Sequence, residues 1–389
     1  MPDTSPLLVS VTELQDFLRC RWMWDTVSPN RQSLQAKTAP RTELHVGTHV
    51  HEGVAAPIFG KEWKPTMDAW YETEATKLAR QYAERVGAPL SAQEKQRLTQ
   101  SRDLATGMVE HYFEHYGLDS IAPLRYLAAE MSFRIPTGLR TSDGRGVFLV
   151  GTVDGVAIDE FDKLWIVERK TYNQKPDLRW LNTDHQMTGY AWAMQTLVGE
   201  PIFGILYDGL MKKVPQRPKV LQAGGLSREW NTSVSYYSYL RSILDHYGVD
   251  LDPNNALRAQ LPGYLEKAYG PFLNRLRERD SQEQTPFFTR HRITALPQHQ
   301  LRKWYQDAHG MLSDIAGDPR IYKNFRWEGC WDCWCSDLCI ADQRGLDTDY
   351  LRETAYEPAT HRPQYQKMLT ITPDTVSSVE DLQRLCGVQ

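Results

Sequence analysis

An α/β fold is what this sequence predicts, on three observations. They are a long helical opening, a hydrophobic strand pair that returns on itself, and a helix leading into one further strand. The opening runs to about Gly117. Its first helix occupies Val11 to Cys20 and starts at Ser10 and Glu13, which form a capping box. An amphipathic stretch follows from Met67 to Arg85, and Ser91-Ala92-Gln93-Glu94 announces a further helix through a second capping box. The sheet region then spans Leu127 to Leu210. Val147 to Ile158 is rich in β-branched and aromatic residues and reads as a strand. Leu164 to Lys170 is the next, with Asp159 to Lys163 as the polar connection. A helix from Asp184 to about Leu197 leads to the strand Ile202 to Leu210. Past Met211, Lys212, Lys213, Arg217 and Lys219 alternate with Pro215 and Pro218 in a basic loop or edge element, a candidate rim for phosphate contacts. Helices are expected between about Thr232 and Ser281, and Phe287 to Arg292 reads as a short strand or loop. Beyond Asp342 the chain is polar and Pro-interrupted, which predicts a loosely attached tail. The expected division is 1–120, 121–211, 212–320, 321–345 and 346–389.

Composition bounds what such a chain does. Its 389 residues, 41% of them hydrophobic, suffice for one large core or two small ones, and no segment approaches a membrane span. The first residues carry neither a basic region nor a long apolar run, so the expectation is a cytoplasmic location, where six cysteines speak for metal rather than disulfides. A net charge of −4 supplies no global attraction to nucleic acid, so any such binding needs a local basic groove. There is no internal repeat, P-loop or helicase motif.

The strand pair carries the chemistry. If the hairpin is centred near Phe161 without a bulge, Asp154 lies opposite Glu168, and the strand period of two puts Lys170 on the same face while Arg169 points away. Two carboxylates side by side repel unless a cation sits between them or one is protonated. Hard oxygen ligands in an incomplete shell suit magnesium or manganese, which accept substrate phosphate oxygens. The competing account is an exposed Glu168–Lys170 ion pair on an ordinary strand. Upstream, Glu43 to Glu52 looks like the start of a helix in which Gly47 permits a close backbone approach and His51 is available to a metal, whereas His45 and His49 read as solvent-exposed helix residues. Downstream, Gln186 and Tyr190 share a helix face through their i, i+4 spacing.

The cysteines form a second pattern. Cys330, Cys333, Cys335 and Cys339 crowd together near the C-terminus, and the spacing of Cys330, Cys333 and Cys339 leaves a position for the distant Cys20. That layout suggests a metal-centred clasp joining the two ends of the chain, whereas a local zinc site would use Cys335 in place of Cys20. Cys386 reads as a free thiol.

Taken in order over most of residues 10 to 342, these segments resemble the RecB-type branch of the PD-(D/E)xK nucleases. Within it they resemble the iron-sulphur members, which include the AddB nuclease domain, the CRISPR-associated iron-sulphur exonucleases and phage-encoded exonucleases. The resemblance implies a restriction-endonuclease-like core, a mixed sheet flanked by helices, with a helical N-terminal region and a Cys-rich iron-sulphur clasp. It makes His51, Asp154 and Glu168 side-chain ligands of Mg or Mn, with the Arg169 carbonyl as a further ligand, and Lys170 the catalytic lysine. Gln186 and Tyr190 match the Q-x-x-x-Y helix motif, which contacts the DNA backbone or supports the lysine. Glu130 matches an acidic position on the strand before the hairpin. Cys20, Cys330, Cys333 and Cys339 would hold a 4Fe-4S cluster, closing a loop worth on the order of 5 to 6 kcal/mol in a chain-entropy treatment. Trp327, Trp331 and Trp334 could shield it. Lys212, Lys213, Arg290 and Arg292 would face DNA, and Phe287 and Phe288 either stack on bases or lie buried. The implied activity is an exodeoxyribonuclease on single strands or DNA ends, of phage or prophage type, with a helicase or recombination partner. A spacer-processing nuclease of CRISPR adaptation and a non-catalytic DNA-binding module of the same fold are the alternatives.

Overall fold

The computed structural model describes residues 5–37, 42–230, 233–249, 261–294, 296–325, 330, 333–359 and 370–386. Strand β1 (Leu7–Ser10) runs directly into α1 (Val11–Arg19), followed by α2 (Arg21–Val27), β2 (Leu34–Ala36), α3 (Thr42–Ala55), α4 (Trp63–Val86) and α5 (Ala92–Tyr116). The centre of the chain forms β3 (Arg125–Arg140), β4 (Gly146–Ile158), β5 (Leu164–Tyr172), α6 (His185–Val198) and β6 (Ile202–Met211). Then come α7 (Tyr236–Tyr247), α8 (Gly263–Asp280), β7 (Phe288–Ile293), α9 (Gln298–Ala316), α10 (Ser336–Gln343), α11 (Thr348–Ala355), β8 (Tyr356–Pro358), β9 (Thr370–Ile371) and α12 (Val379–Cys386).

The main sheet is mixed, in the order β7-β6-β5-β4-β3-β9, with β1 also against β4. The β5–β6 pair is parallel and is joined through α6, the crossover a parallel pair requires. Strand β4 is long enough to have two partners in turn on one side. Its first half pairs with β1, from Leu7↔Val147 to Ser10↔Val150, and its second half with β5, from Gly155↔Val167 to Ile158↔Leu164. Between Val150 and Gly155 no described strand pairs with β4 on that side.

Helices cover both faces. The main core packs α1, α6, α9 and α12 on one face through Leu14, Met194, Leu312 and Leu382 against Phe133, Leu149, Val153 and Ile166. On the other face, Val46, Val50 and Val54 of α3 and Val109 and Tyr112 of α5 pack with Leu210 and the buried pair Phe287 and Phe288. Helices α7 and α8 close a smaller core of their own around Tyr239, Ile243, Phe272 and Leu276.

Several expectations need correction. The sheet is not confined to residues 121–211, because β1, β7 and β9 join it from outside. The segment after Asp342 does not hang loose: β8 pairs with β2, β9 pairs with β3, and Leu382 and Val376 are buried in the core. Ser10 caps α1 by accepting the Glu13 N–H, and the Glu13 carboxyl also interacts with the Ser10 backbone. That carboxyl is buried and accepts from Trp24 Nε1, Ser28 Oγ and Asn30 Nδ2 as well. The capping box at Ser91 and Glu94 is complete. Phe287 and Phe288 are buried rather than free to stack on bases. His49 is also buried, with Nε2 2.9 Å from the Met67 carbonyl and its ring stacked on Trp70. The side chains of His45 and Cys386 lie outside the described residues.

Candidate active site

The site forms where side-chain alternation breaks. On β4, Val153 and Val156 both enter the main core, and on β3 so do Ala128 and Met131, three positions apart instead of two. Glu130 takes up the irregularity with φ of +47°, a left-handed conformation that costs a residue with a Cβ on the order of 1–3 kcal/mol. The flanking pairs Ala129↔Gly155 and Met131↔Val153 place Glu130 opposite Asp154, and Gly155↔Val167 places Glu168 on the other side of Asp154. Three carboxyl side chains therefore lie in one row across β3, β4 and β5, at the end of the stretch where β4 lacks a partner. Asp154 Oδ2 accepts the Arg169 backbone N–H at 2.7 Å.

Helix α3 brings a cation to this row. His51 Nδ1 is 3.3 Å from Asp154 Oδ1 and 3.8 Å from Glu130 Oε1, and the three side chains each offer one ligand atom within 4.8 Å of the others. The helix approaches closely because position 47 is glycine, where a Cβ would stand 3.1 Å from Thr171 Oγ1. On the other flank, Lys170 Nζ is 2.6 Å from Glu168 Oε1 and donates to Gln186 Oε1 at 3.0 Å, while Gln186 Nε2 donates to the Tyr190 hydroxyl at 2.8 Å. Tyr190 fits beside the strand because position 151 is glycine, whose Cβ would stand 3.1 Å from that ring.

The electrostatics follow from burial and neighbours. Burial works against the charged form of Asp154, but His51 beside it, with Lys170 and Arg169, brings its pKa down to about 2. Burial and then the Asp154 charge push Glu168 up to about 7, against the pull of Lys170. His51 would be lowered by burial, yet Asp154 and Glu130 raise it to about 10. Lys170 is likewise raised, since Glu168 and Asp154 outweigh its own burial. Two carboxyl oxygens of the row, Glu130 Oε1 and Glu168 Oε2, are buried without a hydrogen-bond partner among the described residues. Buried acceptors left open in a cluster of oxygen and imidazole donors fit a divalent cation of the magnesium or manganese kind.

The ligand set that converges in the structure contains Glu130, whereas Glu168 turns one oxygen to Lys170. Arg169 points to the opposite sheet face, as its position in the strand predicts. There its Nε lies 3.4 Å from Asp208 Oδ2 and its Nη2 donates to the Tyr126 hydroxyl at 3.0 Å. Arg290, expected to face DNA, is committed to this same network. Its Nε donates to Asp208 Oδ1 at 3.0 Å, its Nη2 to Tyr112 and to the Ser120 carbonyl, and its guanidinium lies 3.4 Å from the Tyr116 ring centroid. Arg292 is exposed, Arg217 pairs with Asp245, Lys212 and Lys213 are half-buried, and the Lys213 ammonium lies 5.6 Å from the Phe287 ring centroid. Asp208, Tyr112 and Tyr126 carried no local signal. They matter only through partners on other elements.

The cysteines converge as well. The Asn324 N–H points to Cys20 Sγ at 3.4 Å, Cys330 Sγ lies 3.9 Å from the Asn324 carbonyl, and Cys333 and Cys335 sulphurs are 3.6 Å apart. The Cys339 thiol is pushed up by burial and by Cys20, Cys333 and Cys330 nearby. Cys335, expected to stand apart, is fully buried with Met23, Leu338 and Tyr356 in the small core under this group. Trp334 is exposed, and Trp327 and Trp331 lie outside the described residues.

A row of acids with a histidine and a lysine, at a break between strands, is a donor set that could hold a divalent ion. The profile of the PD-(D/E)XK nuclease superfamily matches residues 8–340, and the chain belongs to that superfamily. Its members are hydrolases of nucleic acids that use magnesium or manganese, with DNA as the substrate the superfamily implies. No curated protein matches the chain. Among solved structures, one titled "Crystal structure of SSO0001" matches at 12% identity over 68% of this chain and 80% of that one, with a TM-score of 0.27. Among the described residues no helix is long and apolar enough to cross a membrane.

Proposed function

We propose that this chain is an exodeoxyribonuclease acting on single strands or DNA ends. The observation that carries the reading is the row Glu130, Asp154 and Glu168 with Lys170 beside it. Glu130, Asp154 and His51 would hold a divalent ion, with Glu168 and the Arg169 carbonyl completing its shell. A bound magnesium or manganese supplies charge stabilisation at the phosphate and a more acidic water. Lys170, steadied by Gln186 and Tyr190, orients the attacking water and neutralises the phosphate. Lys212 and Lys213 are the proposed backbone contacts. They follow β6, where the Lys212 N–H bonds the Tyr172 carbonyl just past Lys170.

Glu168 is 2% exposed and the Asp154 side chain 13%, whereas the Lys170 side chain is 40% exposed, so the lysine is the open side of the row. The preference for ends rests on the RecB-type likeness. Linear single strands should be degraded while covalently closed circles of the same sequence persist. Rapid cleavage of the circles would make the enzyme an endonuclease.

The sulphur cluster belongs to the same proposal: Cys20, Cys330, Cys333 and Cys339 hold a 4Fe-4S centre that ties the chain ends together, as the RecB-type likeness implies. Protein purified without oxygen should be brown and lose its colour in Cys20→Ser but not in Cys335→Ser. A colourless protein holding one zinc, lost in Cys335→Ser and kept in Cys20→Ser, would establish the local zinc site instead. A helicase or recombination partner and a phage-type or CRISPR-adaptation setting remain readings of that likeness alone.

A further inference from the structure

The opposite sheet face holds a cavity that the metal row does not use. Its volume is about 330 Å³, at the small end of the ~300–1,000 Å³ range of ligand clefts. It opens between α5, α7, the end of α8 and β7, with Arg290 and Leu206 in its lining. Leu206 lies two residues from Asp208, on the side of the sheet that carries Arg169 rather than Glu168 and Lys170.

Two kinds of surface meet there. Tyr116, Tyr236, Tyr237 and His115 contribute rings. The His115 ring is neutral, because burial, then His111 and Arg290, lower its pKa to about 3. Against these rings stand three guanidinium groups. Arg290 stacks on Tyr116, and Arg277 lies 4.7 Å from the Tyr236 ring centroid and donates to its hydroxyl. Arg292 is exposed and has no ion pair among the described residues. The buried acid of the cavity, Asp280, is already committed to Arg279 and to the Tyr236 N–H. The other acid of the lining, Glu283, is exposed. Arg290 is neutralised by Asp208, which leaves the exposed Arg292 as the guanidinium open to an anion, and flat aromatic walls beside it suit a ligand with a flat ring at one end and an anion at the other.

We propose that this cavity is a binding site for a nucleoside monophosphate unit, the base against Tyr116 and Tyr237 and the phosphate on Arg292. The unit is either a free nucleotide or the phosphorylated terminus of a strand. The site is separate from the metal row, so it stands or falls apart from the proposed nuclease chemistry.

Binding of deoxyadenosine 5′-monophosphate to the full chain, measured by calorimetry with divalent ions chelated, tests this without any cleavage. One saturable site is expected, weakened tenfold or more by Arg292→Glu and by Tyr237→Ala and unchanged by Glu168→Ala. Arg292 is exposed, so its variant should fold even if the tyrosine variant does not. Displacement by a 5′-phosphorylated single-stranded oligonucleotide would identify a strand terminus as the ligand, and failure to displace would identify the free nucleotide. No saturable binding would overturn the proposal. So would binding lost in Glu168→Ala but kept in Arg292→Glu, or inorganic phosphate binding as tightly as the nucleotide.

Discussion

Two buried carboxylates on neighbouring strands, Asp208 on β6 and Glu168 on β5, meet opposite fates. Asp208 is fully buried and both its oxygens are taken, Oδ1 by Arg290 and Oδ2 by Tyr112 and Arg169, so its pKa is lowered although burial opposes this. Glu168 is nearly as buried, yet it faces Asp154 and keeps Oε2 without a partner among the described residues, so its pKa is raised. Burial is common to both. What differs is whether the protein itself completes the coordination, and an incomplete set is what a metal and a phosphate can finish. The satisfied face is not perfect, since Arg169 Nη1 also has no hydrogen-bond partner among the described residues, but its carboxylate is fully paired. Among the described residues, the carboxylate on one face of β5 and β6 is fully paired and the one on the other face is not.

Substitutions can break that contrast. Lys170→Ala and Glu168→Ala should each reduce metal-dependent DNA cleavage by on the order of 10³-fold or more, with the urea midpoint close to that of the parent. Retained cleavage in both variants would make the pair a structural ion pair with no part in the chemistry. Asp208→Ala should do the reverse and destabilise the fold by about 3–5 kcal/mol, because Arg169 is left buried without its counter-charge. Equilibrium denaturation reads this, and a loss below about 1 kcal/mol would show that solvent reaches the network. A third buried carboxylate sharpens the comparison. Glu13 accepts from neutral donors, the Ser28, Trp24 and Asn30 side chains and the Ser10 backbone, and burial raises its pKa despite them. Glu13→Ala should cost about 1–3 kcal/mol by orphaning the Trp24 N–H and Ser28 hydroxyl. The cost should grow toward acid pH: a raised folded value means the stabilising contribution of Glu13 is fully present below its unfolded value and lost as pH rises.

How much of this could be read from residues alone depended on how local each feature is. The hairpin register was legible because the turn is symmetric: Ile158↔Leu164 to Gly155↔Val167 is the pairing expected of a bulge-free hairpin centred at Phe161. The i, i+4 relation of Gln186 and Tyr190 was legible for the same reason, since helix geometry alone brings them together. Glu130 could be matched to an acidic position but not placed, because its alignment with Asp154 depends on a backbone irregularity that no propensity announces. Arg290 looked like a free basic residue because the partner that claims it, Asp208, comes from a strand about eighty residues earlier in the chain. The chain after Asp342 looked detachable for a similar reason. Its strands are two and three residues long and acquire meaning only beside β3 and β2.

The smallest predicted effect concerns protons, and it tests whether the histidine belongs with the metal row. His51 raised to about 10 is a cation lodged between Asp154 and Glu130, occupying the charge that a divalent ion would otherwise supply. The stabilisation from that proton is fully present below the unfolded value near 6.5 and is lost as pH rises through about 10. Metal ligands bind deprotonated, so loading the site must expel the His51 proton and, near pH 7, part of one from Glu168. Affinity for magnesium or manganese should therefore rise with pH between about 7 and 10, by up to about tenfold per unit for each proton displaced. Calorimetry in buffers of different protonation enthalpy counts those protons directly. His51→Ala should release about one fewer and show a shallower pH dependence, with a modest loss of affinity at high pH, where a neutral imidazole is all that has been removed. Equal proton release by the parent and His51→Ala would place the histidine outside the metal's reach and leave Glu130, Asp154 and Glu168 as the side-chain ligands.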